Sequence, residues 1–262
     1  MTARNASYSA AVLFLAVFCS APSPAQPPRP GDALSGQEIV RKVENLLWGR
    51  TSEGRYEMRI VTPHWQRTLE LRVWMIRPDK TFIRILAPPK EAGIGSLRLG
   101  NEMWNYLPKV ERIIKIPPSM MLQPWMGSDF TNDDLVKESS IVNDYTHTLV
   151  AEEDRDGVAV YRIESTPKPD AAVVWGKLVY EVRREDLMPL RLSYYDERGR
   201  LIKVLGFSEV REMGGRRLPT RWVMRPVNKP GNSTEIRLRE VRFDIAIDEG
   251  IFTLRNLRRS RR

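Results

Sequence analysis

Residues able to do acid–base, nucleophilic or metal chemistry are few in this chain and stand far apart. It has two histidines, His64 and His147, and one cysteine, Cys19. Neither a zinc pair nor a hydrolytic triad can be assembled from histidines so isolated. His64 follows Pro63 in a turn signal and reads as an ordinary turn residue. Asp129, Asp133 and Asp134 suggest a cation loop, but the spacing lacks the glycine and distal bidentate glutamate of an EF-hand. Asp129 or Thr131 capping a short helix is the better account. Glu152, Glu153, Asp154 and Asp156 read as a solvated hairpin end. Asn232-Ser-Thr234 fits the glycosylation pattern, which is inert in a bacterial setting. An enzyme acting on an envelope lipid or glycan therefore has no acid, base or nucleophile grouping to use, and no cofactor or metal is implied.

The stretch that stands out is apolar rather than catalytic. Gly95–Leu135 reads as two half-buried strands, Leu97–Leu107 and Val110–Ile116, then a break at Pro117–Pro118. Ser119–Gly127 follows, rich in Met and Trp, and then a polar helix start at Asp129–Leu135. Such a segment is too apolar for an exposed loop and too broken for a strand. Flexible Met side chains beside Trp suit a surface that accepts apolar shapes of variable outline. The expectation is a lid over the mouth of a curved sheet, helping to line a lipid-sized cavity.

The first 25 residues read as a secretory leader. Met1–Ser9 carries one basic residue, Arg4, and no acid; Ala10–Phe18 is an unbroken apolar core; Ser23-Pro24-Ala25 supplies small residues for cleavage. That core is short of the roughly 20 apolar residues of a membrane span. Cleavage after Ala25 is preferred over lipidation at Cys19, because Phe18 is bulky where a lipoprotein signal needs Gly or Ala. The processed chain would hold no cysteine, so core and sheet alone must stabilise it. The expected setting is a bacterial periplasm. Net charge is +9, or +8 once Arg4 leaves, which draws the protein transiently toward anionic headgroups. Export and the lack of a binding module argue against nucleic acid. Residues 26–34 read as a Pro-rich linker, 35–254 as the folded domain and 255–262 as a basic solubilising tail.

Ser35-Gly-Gln-Glu38 is a capping box opening a helix to about Trp48, with Ile39, Val40, Val43, Leu46 and Leu47 on one stripe. Roughly eleven strands follow in a meander, alternating apolar and polar residues with Gly, Pro and Asp at the turns. Tyr56–Thr62, Arg67–Arg77 and Thr81–Ala87 precede the central segment; Tyr145–Asp154 through Ser233–Ile245 come after it. So long an antiparallel sheet must curl. Few helical elements are left to cover its apolar face. The fold class is therefore α+β, mostly β: a strongly curved antiparallel half-barrel with an N-terminal helix and short lid helices over an apolar cavity.

The order of motifs resembles the outer-membrane lipoprotein-sorting family, the LolA/LolB-like fold. The residues carrying the likeness are Gly95…Leu99, Trp104-Asn-Tyr106-Leu-Pro108, Arg112, and Gly127-Ser-Asp-Phe130-Thr131-Asn-Asp-Asp134-Leu135. The likeness spans nearly all of Ser35–Leu254 and ends in the turn Asp248–Thr253. It implies an eleven-stranded half-barrel carrying lipoprotein acyl chains or other lipids between envelope membranes, without a cofactor and as a monomer. It also implies handover to or from an inner-membrane transporter of the resistance–nodulation–division type, or to an outer-membrane acceptor. The basic charge departs from the best-known carriers and bears on the cargo more than on the fold.

Cavity and lid residues are expected to be Leu71, Val73, Met75, Ile85, Trp104, Tyr106, Ile114, Met120, Met121, Leu122, Trp125, Met126 and Phe130. The competing function class is a lipid-sensing module that regulates a membrane protein. Its docking surface would be the loop Thr166–Trp175, whose Val173-Val174-Trp175 looks exposed in the sequence.

Overall fold

Ser35 opens the first helix as its sequence predicts. Its hydroxyl accepts the Glu38 N–H at 3.2 Å, and its own N–H donates to Glu38 Oε2 at 2.9 Å, so two otherwise unpaired donors are satisfied reciprocally. The structure is a computed structural model that describes residues 34–137 and 141–259. The leader, Cys19, the linker up to Ala33 and the last three tail residues lie outside the described residues. Helix α1 runs Gly36–Trp48 and buries Ile39, Val40, Val43, Leu47 and Trp48.

Thirteen strands follow: β1 Thr51–Val61, β2 Gln66–Ile76, β3 Lys80–Ala87, β4 Gly95–Leu99, β5 Glu102–Leu107, β6 Arg112–Ile116, β7 Tyr145–Arg155, β8 Val158–Pro167, β9 Lys177–Arg183, β10 Pro189–Tyr195, β11 Leu201–Met213, β12 Arg216–Pro226 and β13 Ser233–Phe243. Short helices α2 (Asn132–Lys137), α3 (Ile141–Asp144) and α4 (Leu254–Arg258) complete the elements the site needs. All thirteen strands form one antiparallel sheet in the order β6-β5-β4-β3-β2-β1-β13-β12-β11-β10-β9-β8-β7. It is open, with β6 and β7 at its edges, so the half-barrel expected from the sequence is correct in class. The count is thirteen rather than roughly eleven, in part because Leu97–Leu107 is a hairpin rather than one strand. It reverses at Gly100, whose φ of +57° is the left-handed region a residue without a Cβ adopts at little cost.

The sheet has two apolar faces, not one. On the concave face Tyr56, Met58, Ile60, Leu69, Leu71, Met75, Ile83 and Ile85 join the helix stripe in the main core. Helix α1 lies against β7, β8 and β12, and Trp48 meets Trp222 edge-on at 5.1 Å. On the convex face Phe82, Leu97 and Tyr106 form a second cluster with Phe252 and Leu257 from the C-terminal segment. Among the described residues no helix is long and apolar enough to cross a membrane.

Candidate functional site: a lidded apolar face

Residues 117–137, from the Pro pair to the end of α2, form the lid. They are held first by their own backbone. The Trp125 N–H donates to the Phe130 carbonyl at 2.8 Å, Asn132 N–H to Gln123 O at 3.0 Å, and Asp133 N–H to Met121 O at 3.0 Å. The Ser128 hydroxyl donates to Trp125 O at 2.8 Å. Thr131 caps α2 by accepting the Asp134 N–H at 3.2 Å, while the Thr131 N–H donates to Asp134 Oδ2 at 2.6 Å. The capping reading of Thr131 therefore holds, and Asp129 and Asp134 have partners of their own.

Side chains from four strands fasten the lid across the concave face. On β4, Ser96 accepts the Trp125 indole N–H at 2.9 Å and passes its own proton to Asn105 Oδ1 at 2.6 Å. On β13, the Thr234 hydroxyl donates to Asp129 Oδ2 at 2.7 Å and accepts the Asp129 N–H at 2.9 Å. Burial raises the Asp129 carboxyl above its ordinary value, with that hydrogen bond opposing the shift. On β11, Lys203 ion-pairs with Asp134, both fully inside the protein. The Lys203 ammonium also lies 4.7 Å from the Trp175 ring centre and 5.0 Å from that of Tyr194. Trp175 donates its indole N–H to Asp134 Oδ1 at 3.1 Å. From β2, Arg67 bonds the Met126 carbonyl and pairs with Glu91 at 2.7 Å.

Under the lid is an apolar hollow of about 60 Å³, lined by Trp48, Tyr56, Met58, Leu71, Val73, Met75, Trp125, Phe130 and Trp222, with Asp134 at its rim. Pockets that enclose a small-molecule ligand span about 300–1,000 Å³, so this hollow is too small for an acyl chain. Trp125 and Phe130 are buried between the lid and the sheet, in the same core as Leu71 and Met75.

Of the residues expected from the sequence, Leu71, Val73, Met75, Trp125 and Phe130 meet at this hollow. Ile85, Met121 and Met126 belong to the same core. Ile114, Met120 and Leu122 are exposed, the last 55% so, and none of them lines the hollow under the lid; Leu122 borders a separate outer hollow with Pro124 and Trp175. Trp104 and Tyr106 require correction. Asn105 pairs with Ser96 on the lid side, so its two neighbours point to the convex face, where the C-terminal segment covers them. The docking loop also requires correction, since Trp175 is buried against the lid's carboxylate rather than exposed. Sequence reasoning missed Ser96, Lys203 and Thr234, single polar residues on alternating strands whose partners lie far along the chain.

A curved, unclosed antiparallel sheet whose concave face holds one helix and a self-bonded lid defines a lipoprotein-sorting type of fold. The chain belongs to the family whose model, described as "uncharacterized protein", matches residues 77–259, and its fold is similar to those of solved lipoprotein-sorting and LolA superfamily structures. An outer membrane lipoprotein-sorting protein domain from Vibrio parahaemolyticus is 25% identical with a TM-score of 0.74, the match covering 86% of this chain and 98% of that one. A DUF1329 family protein from Desulfovibrio piger is 25% identical with a TM-score of 0.76, covering 85% and 97%. A LolA superfamily protein from Nitrosomonas europaea is 22% identical with a TM-score of 0.75, covering 86% and 100%. No curated protein matches the sequence.

Proposed function

We propose that this protein is a carrier, in the periplasm, of lipoprotein acyl chains or other lipids, which it shelters between lid and sheet and passes between envelope membranes or to a membrane transporter. The single observation that carries the reading is the placement of Trp125 and Phe130, two large apolar side chains on a separately fastened segment, over Leu71, Val73 and Met75. On this reading the lid's own rings stand where a guest would lie.

Magnitudes decide whether a guest can replace them. Each ring buries about 150–250 Å², which at about 25 cal/mol per Å² is roughly 4–6 kcal/mol, an upper estimate. An acyl chain gains about 0.8 kcal/mol per methylene, so about sixteen methylenes bring roughly 13 kcal/mol. One long chain therefore offsets the ejection of both rings. The lid moves as a unit because its backbone bonds are internal, and it leaves once its attachments to Ser96, Thr234, Lys203 and Arg67 break.

The test is extraction of the purified protein with organic solvent, mass spectrometry of the extract, and transfer of labelled lipid between vesicles. Co-purifying lipid and protein-dependent transfer are expected. A lipid-free protein that moves nothing between vesicles refutes the carrier reading.

A further inference from the structure

A larger cavity, about 430 Å³, lies away from the lid, on the convex side of the sheet under the C-terminal segment. After β13 the chain turns back over β3 and β4, and α4 seats Leu257 against Phe82 and Leu97. The apolar wall of the cavity includes Trp74, Phe82, Ile247 and Ile251, with the Trp74 and Phe82 rings edge-on at 5.6 Å.

The polar wall carries three cations, Arg72, Arg84 and Arg259, against two carboxylates, Glu53 and Asp248. Arg84 stands over the Phe82 ring at 4.9 Å. It donates to the carbonyls of Gly93 at 2.6 Å, Asn256 at 2.9 Å and Leu257 at 3.0 Å. Among the described residues those three contacts leave two of the five guanidinium N–H donors without a partner. Among the described residues no carboxylate pairs with it, and desolvation lowers it to about 10. The carboxylates at the cavity are already engaged: Glu53 holds Arg72 and Arg242, and Asp248 accepts the Gly250 N–H. Arg259 adds a second cation at the rim. A partly buried cation bound only by carbonyls, facing an aromatic hollow, lacks an anion.

We infer that this convex-face cavity is a binding site for a small amphiphile with one oxyanion head, carboxylate or phosphate, and a single short apolar tail. The head sits on Arg84 and Arg259, and the tail lies along Trp74 and Phe82. Small-molecule pockets span about 300–1,000 Å³, and a volume near the lower end suits one short chain rather than two long ones. The site is on the opposite face of the sheet from the lid, so it stands independently of the carrier reading.

The experiment titrates the full chain by calorimetry with decanoate, decyl phosphate, decyltrimethylammonium and inorganic phosphate, and maps covalent adducts of a diazirine-tailed decanoate. Saturable one-to-one binding of decanoate or decyl phosphate is expected, the tighter of the two identifying the head. The cationic amphiphile and inorganic phosphate should bind at least tenfold more weakly. Adducts should fall within residues 72–93 and 246–259. Ala246→Trp fills the rim from an exposed position and should weaken binding at least tenfold, as should Arg84→Gln. Because Arg84 also ends α4, Arg259→Gln replaces it if circular dichroism shows Arg84→Gln disturbed. Equal affinity for the cationic amphiphile, adducts confined to residues 118–135, or unchanged affinity in Ala246→Trp would overturn the assignment.

Discussion

Lys203 of β11 and Asp134 of α2 form a buried ion pair, their side chains 4% and 0% exposed, that joins the far wall of the sheet to the lid. Removing one partner of such a pair strands the other charge in the interior, which typically costs about 3–5 kcal/mol. Lys203→Met is therefore expected to loosen the lid and lower the denaturation midpoint. Hydrogen exchange should quicken across 118–135 before it does in β1 or β13. The double variant Lys203→Met, Asp134→Leu should recover most of the loss, because neither charge is then left unpaired. Exchange in the single variant no faster than in the parent would show that the pair does not fasten the lid.

Lid residues should divide sharply by where they point. Trp125 is buried and hydrogen-bonded to Ser96, so Trp125→Ala is expected to cost about 3–5 kcal/mol by urea denaturation. Leu122 is exposed, and Leu122→Glu should stay within about 0.5 kcal/mol of the parent and retain any co-purifying lipid. Met121 is buried beside it; Met121→Glu should lower both stability and lipid content.

Glu44 gives the fold a pH dependence. It is buried in α1, where the Tyr180 hydroxyl donates to Oε1 at 3.3 Å. Burial raises its carboxyl from 4.5 to about 7, against the opposing charge of Arg77. The folded protein thus holds a proton that the unfolded chain releases. This contribution is greatest below pH 4.5, declines as pH rises to about 7, and is flat above. At about 1.4 kcal/mol per pH unit, the decline is roughly 3 kcal/mol. Glu44→Gln should flatten that slope and be the more stable protein at pH 8, measured by urea denaturation across pH 4 to 8.

Gly36 sets how closely α1 approaches the edge strand. A Cβ placed there would stand 2.7 Å from the Leu149 backbone nitrogen and 2.8 Å from the His147 carbonyl oxygen. Backbone cannot step aside as a side-chain tip can. Gly36→Ala should therefore destabilise by about 1–3 kcal/mol despite the better helix propensity of alanine, with a lowered thermal midpoint as the readout.

What could be read from the sequence was local. The Ser35 box, the alternation of Leu69, Leu71, Val73 and Met75, and the Met-Trp lid all depend on neighbours within a few positions. Trp104 and Tyr106 show the limit. Their spacing of two places both on one face, but which face is inward depends on Asn105 meeting Ser96 and on Phe252 and Leu257 arriving from the far end of the chain. The attachment of Asp134 to Lys203 spans 69 residues, and a lone lysine on a strand carries no mark of being buried. The Thr166–Trp175 loop looked exposed because nothing nearby shows that Trp175 has a carboxylate to bind.

The rings of Trp125 and Phe130 give the proposed carrier a built-in competitor. Cargo must outcompete the protein's own side chains, and the same rings push back when it departs. Retention then reflects a difference between two similar energies, which keeps loading reversible at either membrane. It also sets a threshold: tails much shorter than about sixteen methylenes gain too little, at about 0.8 kcal/mol each, to stay. The lid thereby becomes a ruler for chain length.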